Sequence, residues 1–419
     1  MILSFPNKKM FKNIPEYIIP VLDELEGAGY EAYLVGGCVR DRARGVVPND
    51  YDVTTNAKPH EMQSVFSSYR VIETGLKHGT LTVVSSGECV EVTTYRIDGK
   101  YADNRHPTSV SFTDDVTLDL SRRDFTVNAM AYSRKLGLCD PFGGMDDLGR
   151  KMIVCVGSPT ERFSEDGLRI LRALRFASVL EFAIDGETAD AIHAMKDLLR
   201  GISKERIYTE LGKLLCGGYA SRIMSEYADV LSVCIEGVSP EAIEKTSRVV
   251  ASLEADAVLR LAYICRLSAD MDGDTPAQHA AAVCKKLKTS SADVKRASLF
   301  ASLMGEMLPV EKKDIKYLMG KLTAEDIRSY AAVRTVFTED GAESERFIGE
   351  YEKIAAADPC VKVSGLAVGG ADVMEKAGVK GQAVGRTLAW LLDGVICERL
   401  ENTREALLAA LDDLPEELK

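Results

Sequence analysis

The sequence predicts an α+β protein, with a mixed head of about 140 residues followed by a long all-helical region. Three observations support this division. Short runs rich in valine and threonine stand between helical segments in the head. From Glu161 onward, helical periodicity dominates almost to the C-terminus. Between the two regions, "DPFGGMDDLGR" (Asp140–Arg150) has the composition of a turn-rich junction.

The head begins with a helical segment and continues with strands. The apolar spacing of "IPEYIIPVLDELEGAG" predicts an amphipathic helix that ends at Gly27 or Gly29. The next segment, "YEAYLVGG", is typical of a strand that runs into a glycine turn. Further strands are predicted for "DYDVTT", "TLTVVSS" and "CVEVTTYRI", which are short, alternating and rich in β-branched residues.

The region after the junction consists of amphipathic helices. Helical spacing of apolar residues is found in "GLRILRALRFASVL", "ERIYTELGKLL", "AVLRLAYICRL", "QHAAAVCKKLK" and "VGRTLAWLLDGVICERLENTREALLAAL". The 419 residues exceed what one hydrophobic core usually serves, so about two to four domains are expected.

The composition is that of an ordinary globular protein, with 46% hydrophobic and 28% charged residues. No stretch approaches the roughly 20 apolar residues of a membrane span. The N-terminal segment "MILSFPNKKMFKNIPEY" lacks an apolar core followed by a cleavage site, so we expect a cytoplasmic protein. The ten cysteines are scattered without a CxxC pair, which favours free thiols.

The net charge of −12 argues against a general attraction to nucleic acid. A local exception lies between Lys285 and Lys321, where nine basic residues face four acidic ones. This segment is either a solvated helix face or a contact for a phosphate backbone.

Asp50 and Asp52 form the first candidate site. On a strand, residues i and i+2 point the same way, about 7 Å apart. Two such carboxylates repel each other unless a cation or solvent separates them. Their hard oxygen atoms suit Mg²⁺ or Mn²⁺. Taken alone, such a pair is weak evidence and is better explained as a polar strand end.

Glu91 lies between two valines on another predicted strand, where a glutamate needs a partner. Three carboxylates on two neighbouring strands can hold two cations about 3.5–4 Å apart, the arrangement of in-line phosphoryl transfer. The alternative is an edge-strand residue that faces water.

A glycine turn precedes this pair of aspartates. Gly36 and Gly37 follow the strand "YLV", and glycines at a strand–helix turn let backbone N–H groups approach phosphate oxygens. Arg40, about one helical turn later, is placed to reach the same phosphates.

The segment "SRRDFTVNAMAY" (Ser121–Tyr132) opens with a charged cluster. Arg123 is a candidate for contact with phosphate or ribose. Asp124 is either a helix N-cap or an acceptor for a ribose hydroxyl, and the two roles are compatible.

The segment "EDGLRILRALRF" (Glu165–Phe176) is predicted to be a single helix with charged residues at every third position: Asp166, Arg169, Arg172 and Arg175. A solvated face explains the arginines adequately. It explains less well why the helix contains several arginines and no lysine. Arginine offers a planar fork for base edges and phosphates, so an aspartate and an arginine one turn apart could read a nucleobase.

The chain resembles the class II tRNA nucleotidyltransferases, the CCA-adding enzymes that are grouped with bacterial poly(A) polymerases. The resemblance rests on "LVGGCVRD", "NDYDVTT", "VEVTTYR", "RRDFTVNAMAY", "DPFGGMDDL", "EDGLRILRALRF" and "SKERIYTELGKLL", which occur in the family's order over about residues 20–220. A weaker likeness covers the tail segment "VGGADVMEKAGVKGQAVGRTLAWLLDGV", which lacks the proline usual between its glycines.

This resemblance implies a polymerase-β-type nucleotidyltransferase head with a small mixed sheet (1–140), then a helical neck (141–215), body (216–345) and tail (346–419). It also implies transfer of CMP, CMP and AMP from CTP and ATP to a tRNA 3′ end without a nucleic-acid template. Mg²⁺ is the expected cofactor, and the tail is expected to bind tRNA.

The resemblance also implies residue roles. Asp50 and Asp52 correspond to metal ligands, and Glu91 looks like the third catalytic carboxylate. Glu205 and Arg206 resemble residues that support the base-reading helix. The remaining matches are to nucleotide-binding positions: Gly36, Gly37, Arg40, Arg123, Asp124, Asp166, Arg169, Arg172 and Arg175.

Members of the family differ in product. The polar connection from Tyr95 to Asp124 has the length that similar enzymes use for the final A addition, which favours complete CCA addition or A addition alone. The charge of −12 disfavours a poly(A) polymerase. A non-catalytic nucleotide- or RNA-binding protein on the same fold is the alternative from another class. None of the five histidines (60, 78, 106, 193 and 279) is followed by aspartate, so no phosphohydrolase activity is predicted.

Overall fold

The structure is a computed structural model that describes residues 14–99, 110–272, 275–338 and 341–418. The expectation for the extreme N-terminus, and that for the middle of the polar connection with His106, lie outside the described residues. Within them, the predicted α+β class is confirmed by a sheet-containing head and a mainly helical remainder. The expectation of an all-helical neck is wrong in one detail, because Met152–Ile153 and Ala183–Ile184 form a short parallel strand pair there.

The centre of the head is a seven-stranded sheet in the order β3-β4-β5-β2-β1-β8-β9. β2 and β5 are parallel and the other neighbours are antiparallel, so the sheet is mixed, as predicted. β6 and β7 form a separate hairpin, and β10 pairs with β11. The strands of the chain are β1 (Ala32–Val35), β2 (Asp52–Thr55), β3 (Arg70–Ile72), β4 (Thr80–Ser85), β5 (Glu88–Thr94), β6 (Arg96–Asp98), β7 (Val110–Phe112), β8 (Ala131–Ser133), β9 (Gly137–Cys139), β10 (Met152–Ile153) and β11 (Ala183–Ile184).

Helices surround the sheet and form the rest of the chain. Those of the head and of the region after it are α1 (Ile19–Gly27), α2 (Gly37–Ala43), α3 (Pro59–Val65), α4 (Val116–Ser121), α5 (Gly144–Arg150), α6 (Pro159–Glu165), α7 (Leu168–Leu180), α8 (Gly186–Met195) and α9 (Lys204–Leu215). The helix predicted to end at Gly27 or Gly29 is α1, which ends at Gly27.

In the described residues after Leu215, the regular elements are α-helices and short 3₁₀ turns. The α-helices are α10 (Ala220–Glu226), α11 (Ala228–Cys234), α12 (Pro240–Val250), α13 (Ala257–Asp272), α14 (Pro276–Lys286), α15 (Ser291–Leu303), α16 (Lys312–Lys321), α17 (Ala324–Thr338), α18 (Gly341–Ala356), α19 (Gly370–Ala377), α20 (Gln382–Ile396) and α21 (Arg404–Ala410). The segment "LRLAYICRL" lies in α13, where Arg260 donates to the carbonyl oxygens of Glu254, Leu215 and Leu253.

Buried apolar residues form separate cores. Two of them flank the head sheet, a large one extends from Phe125 to Ile354, and another lies between Val368 and Leu414. The large core includes Phe347 on α18, a helix that crosses the predicted body–tail boundary at 345/346. The four-part domain division stays a prediction. The shared core fixes the head segment at Phe125 against α7, and the candidate site lies at that junction.

Candidate active site

The turn between β1 and α2 strongly favours glycine at its first position. Gly36 has φ 75° and ψ −128°, a combination that side chains with a Cβ rarely adopt. A Cβ at this position would also lie 2.9 Å from Arg123 Nη1. The backbone N–H of Gly36 donates to the Met130 carbonyl oxygen at 3.1 Å, which fixes the turn against β8. The glycine therefore lets the Arg123 guanidinium lie directly on the main chain.

Gly36→Ala is expected to lower the free energy of unfolding by about 1–3 kcal/mol through backbone strain. It should also raise the KM for nucleotide, because the new methyl group displaces Arg123. Urea denaturation and nucleotide titration of the incorporation rate measure the two effects. Gly45→Ala is the matched control, since Gly45 has φ 76° but nothing within 4 Å of its Cβ position. An equal KM rise in both variants would show that strain alone is responsible.

Asp52 and Glu91 lie on one side of the sheet. Parallel pairing aligns Val53 of β2 with Val92 of β5, and the position before each places Asp52 beside Glu91. Both valines are fully buried, so the alternation of side chains directs the two acids to the opposite, solvent side. Asp50 is predicted on the same strand but precedes it, because β2 begins at Asp52; Asp50 is exposed and the negative charges of Asp50 and Asp52 act on each other.

The environment of Asp52 disfavours a negative charge. Its pKa is raised to about 6, first by partial burial and then by the negative charges of Asp50 and Glu91, while Arg123 opposes the shift. Asp52 nevertheless stays accessible to solvent, so the protein surrounds the carboxylate only in part.

The donor chemistry at Asp52 fits a divalent cation, because carboxylates that repel one another gain from a positive ion among them. Within residues 14–99, 110–272, 275–338 and 341–418, however, no three acidic, histidine or cysteine side chains are drawn into a compact metal-binding group. The roles of Asp50 and Asp52 as ligands and of Glu91 as third carboxylate therefore stay predictions.

Arg123 lies between the glycine turn and the acidic residues. Its Nη2 is 3.7 Å from the Asp119 carboxylate, and its charge also acts on Asp52. Burial lowers the pKa of its guanidinium, and 22% of the side chain stays exposed. A partly buried cation beside the glycine turn is compatible with the predicted contact with phosphate or ribose, which stays a prediction.

Arg40 lies in the predicted place but is tied to the protein. Its guanidinium donates twice to Asp41, at 2.9 Å each, and to Asn128 Oδ1 at 2.6 Å. It also lies 5.3 Å from the ring centroid of Phe176 on α7. Arg40 therefore joins α2 to the helix after the head, and its remaining N–H groups would make the predicted phosphate contact.

Asp124 is not the N-cap of an α-helix. The following residues form only a 3₁₀ turn, Thr126–Asn128, whose N-cap is Phe125. One carboxylate oxygen accepts from the Phe125 N–H at 2.9 Å and from Asn128 Nδ2 at 3.2 Å. The other accepts from Arg172 Nε and Nη2 at 2.8 and 2.6 Å. Asp124 thus connects the head to α7, and the cap interpretation is wrong because the chain bends here instead of starting a helix.

The segment predicted as one helix from Glu165 to Phe176 is interrupted. α6 ends at Glu165 and α7 begins at Leu168, because Asp166 is extended with φ −143°. Asp166 Oδ1 accepts from the Leu168 N–H at 3.0 Å, and Oδ2 accepts from Arg206 Nη2 at 2.8 Å. The break places Asp166 in front of the α7 N-terminus instead of on its face. Arg206 holds the Asp166 carboxylate, and its support of a base-reading helix stays a prediction.

The arginines of α7 are paired with neighbouring groups. Arg169 donates to Glu165 Oε2 at 2.5 Å and to the Arg122 carbonyl oxygen at 3.0 Å. Arg172 bonds Asp124, as described above. Arg175 Nε lies 2.5 Å from Glu210 Oε2, and its guanidinium stacks 3.7 Å from the Phe176 ring centroid. The alternative of a simple solvated face does not describe these arginines, because each guanidinium group is held by a carboxylate.

Three residues at this junction were missed by the sequence analysis: Asp119, Phe176 and Glu210. Glu210 offered the clearest signal, since it lies on the apolar face of α9 with Ile207, Leu211 and Leu214. A buried carboxylate at that position indicates a cationic partner.

The basic segment 285–321 is largely neutralised by the protein itself. Lys288 pairs with Glu205 at 2.9 Å, and Arg296 pairs with Asp256 and Asp326 at 2.6 Å each. Further pairs involve Lys312 and Lys316 with Glu398, and Lys313 with Glu311. These contacts favour a structural explanation for much of the surplus, and an RNA contact there stays a prediction.

In the described part of the chain, no helix has both the length and the apolar composition needed to cross a membrane.

Three family models match successive parts of the chain. They describe the poly A polymerase head domain (residues 32–154), a probable RNA- and SrmB-binding site of polymerase A (181–229) and a putative tRNA nucleotidyltransferase domain 2 (271–411).

The relatives described next match nearly the whole chain, and each is a CCA-adding enzyme. A CCA-adding enzyme of Geobacillus kaustophilus is 35% identical over 402 residues, covering 94% of this chain and 96% of that protein. A CCA-adding enzyme of Ligilactobacillus salivarius is 33% identical over 421 residues, covering 97% and 99%. The crystal structure of the Bacillus stearothermophilus CCA-adding enzyme in complex with CTP is 30% identical, with a TM-score of 0.78 over 97% of this chain and 98% of that one. The chain belongs to the family of bacterial CCA-adding enzymes, which are nucleotidyltransferases.

Proposed function

We propose that this protein adds CMP, CMP and AMP to the 3′ end of tRNA, using CTP and ATP and no nucleic-acid template. The observation that carries the proposal is the junction of two sets of residues. Asp52 and Glu91 share one face of the sheet beside Arg123, and Asp124 ties this part of the head to the arginine row of α7. The former set suits phosphoryl transfer and the latter suits selection of a base.

In the proposed reaction, the terminal 3′ hydroxyl oxygen of tRNA attacks the α-phosphorus of CTP or ATP. The new ester bond forms as the bond from the α-phosphorus to the bridging oxygen breaks. Pyrophosphate leaves with that electron pair, and the hydroxyl proton passes to solvent. Nucleotidyltransferases of this family depend on a divalent metal ion, and we propose Mg²⁺, held by Asp50 and Asp52. The bound ion would supply Lewis-acid activation of the hydroxyl and neutralisation of the triphosphate charge.

The chain's own residues would bind and orient the nucleotide. Gly36 and Gly37 allow the main chain to approach the triphosphate, and Arg123 supplies a partly buried positive charge beside them. Arg40 would complete the phosphate contacts while it holds α2 against Phe176.

We assign base selection to Asp166 and Arg169, the two residues for which the resemblance implies this role. Asp166 is held by Arg206 and Arg169 by the Arg122 carbonyl oxygen, so an acceptor and a donor are fixed near the start of α7. Fixed donors and acceptors discriminate between cytosine and adenine edges without a template strand. Arg172 and Arg175 would add positive charge and stacking surface at the same nucleotide site.

The deciding experiment is an incorporation assay with purified protein, MgCl₂ and a tRNA that lacks its CCA end. CTP alone should give addition of C residues, and CTP with ATP should complete the end with one A. Addition of a single A to tRNA ending in CC, without C addition, would identify an A-adding specialist. Long A tails on unrelated RNA would identify a poly(A) polymerase.

Absence of all incorporation, with nucleotide binding retained, would favour the non-catalytic alternative. Replacement of Mg²⁺ by Ca²⁺ tests the metal separately, since it keeps the charge but changes the preferred coordination. The cytoplasmic location stays a prediction.

A further inference from the structure

Asp119 is a fully buried carboxylate at the edge of the candidate active site, in the short helix α4. A buried charge is retained only where paired groups compensate for its loss of hydration. Its contacts therefore indicate what the charge is used for.

Two of these contacts join the ends of the polar connection. Asp119 Oδ1 accepts from the backbone N–H of Arg96 at 3.3 Å, where the connection begins. The same oxygen accepts from Arg122 Nε and Nη2 at 3.0 and 2.7 Å, where the connection ends. A single carboxylate thus fastens both ends of a long segment to one point.

The second carboxylate oxygen of Asp119 faces β2, the strand that begins with Asp52. Asp119 Oδ2 lies 3.5 Å from the hydroxyl of Thr54 on β2, two residues after Asp52. It also lies 3.7 Å from Arg123 Nη2. The opposite side of that guanidinium rests on Gly36, so Arg123 is held between the glycine turn and the Asp119 carboxylate.

The main chain beside Asp119 holds the helices after the head. The Ser121 carbonyl oxygen accepts from Arg162 Nη1, and the Arg122 carbonyl oxygen accepts from Arg169 Nη2, at 3.0 Å each. Any shift of the segment between Asp119 and Arg123 would therefore move Arg123 at the triphosphate end and Arg169 at the base end together.

We propose that Asp119 is a positioning residue for nucleotide binding: its buried carboxylate sets Arg123 directly and Arg169 through the Arg122 carbonyl oxygen. This inference rests on the proposed function and adds to it a residue that touches no substrate. The negative charge is essential, because asparagine would turn an amide N–H₂ group toward guanidinium N–H groups and leave donors facing donors.

Asp119→Asn tests the inference in the full-length protein. The KM for both CTP and ATP should rise about tenfold, whereas kcat should fall by less than about threefold, since a ground-state contact is lost. Discrimination between the two nucleotides should also decrease, because Arg169 moves with the segment. A KM and a nucleotide preference equal to those of the wild type, in a folded variant, would overturn the proposal.

Asp115→Ala is the matched control. Asp115 caps the same helix by accepting from the Thr117 N–H at 2.7 Å, but it does not contact the arginines of the site. Its loss should lower thermal stability with little effect on KM. An equal KM increase in this control would mean that α4 stability, and not the Asp119 carboxylate, is what matters.

A double variant shows whether Asp119 acts through Arg123. Asp119→Asn added to Arg123→Gln should raise the KM by less than about twofold beyond Arg123→Gln alone, because the shared pathway is already broken. If the KM effects of the two substitutions were fully additive in free energy, Asp119 would not act through Arg123. Should Asp119→Asn not fold, Arg122→Gln removes the side-chain anchor of Oδ1 and leaves the buried carboxylate in place. The segment that carries Arg123 and the Arg122 carbonyl oxygen should then shift and raise the KM, and an unchanged KM would contradict the proposal.

The two proposals fail in different ways. Wild-type protein without incorporation would contradict the proposed function, whereas active wild-type protein beside an unaffected Asp119→Asn variant would contradict only the positioning role.

Discussion

Asp52→Asn is expected to reduce nucleotide incorporation by at least about 10³-fold, the equivalent of roughly 4 kcal/mol in the activation free energy. The substitution keeps the shape of the side chain and removes its charge. The pKa of Asp52 is raised first by burial and then by the negative charges of Asp50 and Glu91, so this acid lies close to both of the others. Loss of its charge would weaken the cation contact on which hydroxyl activation and triphosphate neutralisation depend.

Single-turnover incorporation of C from CTP measures the effect. The variant should remain folded, because a repulsion among carboxylates is relieved when one of them becomes neutral. Glu73→Gln is a suitable control, since this exposed acid follows β3 at the far edge of the same sheet and should leave the rate unchanged. A rate within about tenfold of the wild type for Asp52→Asn would refute the metal assignment.

Local periodicity predicts that Asp50 and Asp52 face the same way. Tyr51 between them is buried, which agrees with alternation, but β2 begins only at Asp52 and the prediction for Asp50 stays open. The place of Glu91 beside Asp52 depends on parallel pairing of β2 with β5. The residues concerned are 39 positions apart, and side-chain alternation within each strand leaves that register open.

The partners of the arginines could not be predicted for a related reason. Arg40 reaches Asn128, Arg172 reaches Asp124 and Arg206 reaches Asp166, over separations of 88, 48 and 40 residues. A long side chain ending in five donors can bind a distant carboxylate or a ligand, and its sequence neighbours do not distinguish the two. The break at Asp166 is equally hidden, because helical periodicity continues across it.

These partners change how the nucleotide site is understood. The arginines of α7 are proposed to bind an anionic substrate, yet each of them already pairs with an acidic residue. The acids are Glu165, Asp124 and Glu210. A site of unpaired arginines would repel itself, so the acids allow several guanidinium groups to lie near one another around Phe176. The same pairing orients the groups in advance, which reduces the entropy lost when a nucleotide binds.

Asp166→Ala is expected to reduce discrimination between CTP and ATP by about 1–3 kcal/mol, or roughly 5- to 150-fold, while incorporation itself continues. The carboxylate lies ahead of α7 and is held by Arg206, so it presents a fixed acceptor to a base edge. Its removal deletes that acceptor and frees Arg206, but it leaves Asp50, Asp52 and Arg123 in place. Incorporation rates with CTP alone and ATP alone, on tRNA lacking its CCA end, give the ratio.

Asp197→Ala separates base selection from a general loss of an aspartate–arginine pair. Asp197 accepts from Arg200 at 3.0 Å on an exposed surface close to the same helix start, where Leu198 contacts Gly167. Its loss should leave the nucleotide ratio unchanged. If Asp166→Ala kept the wild-type ratio, the base-reading role would be lost and Asp166 would serve only to fix Arg206. If the CTP/ATP rate ratio changes in Asp166→Ala alone, base selection depends on the Asp166 carboxylate. Helical periodicity predicts this residue inside a helix, whereas the structure places it in the break before α7.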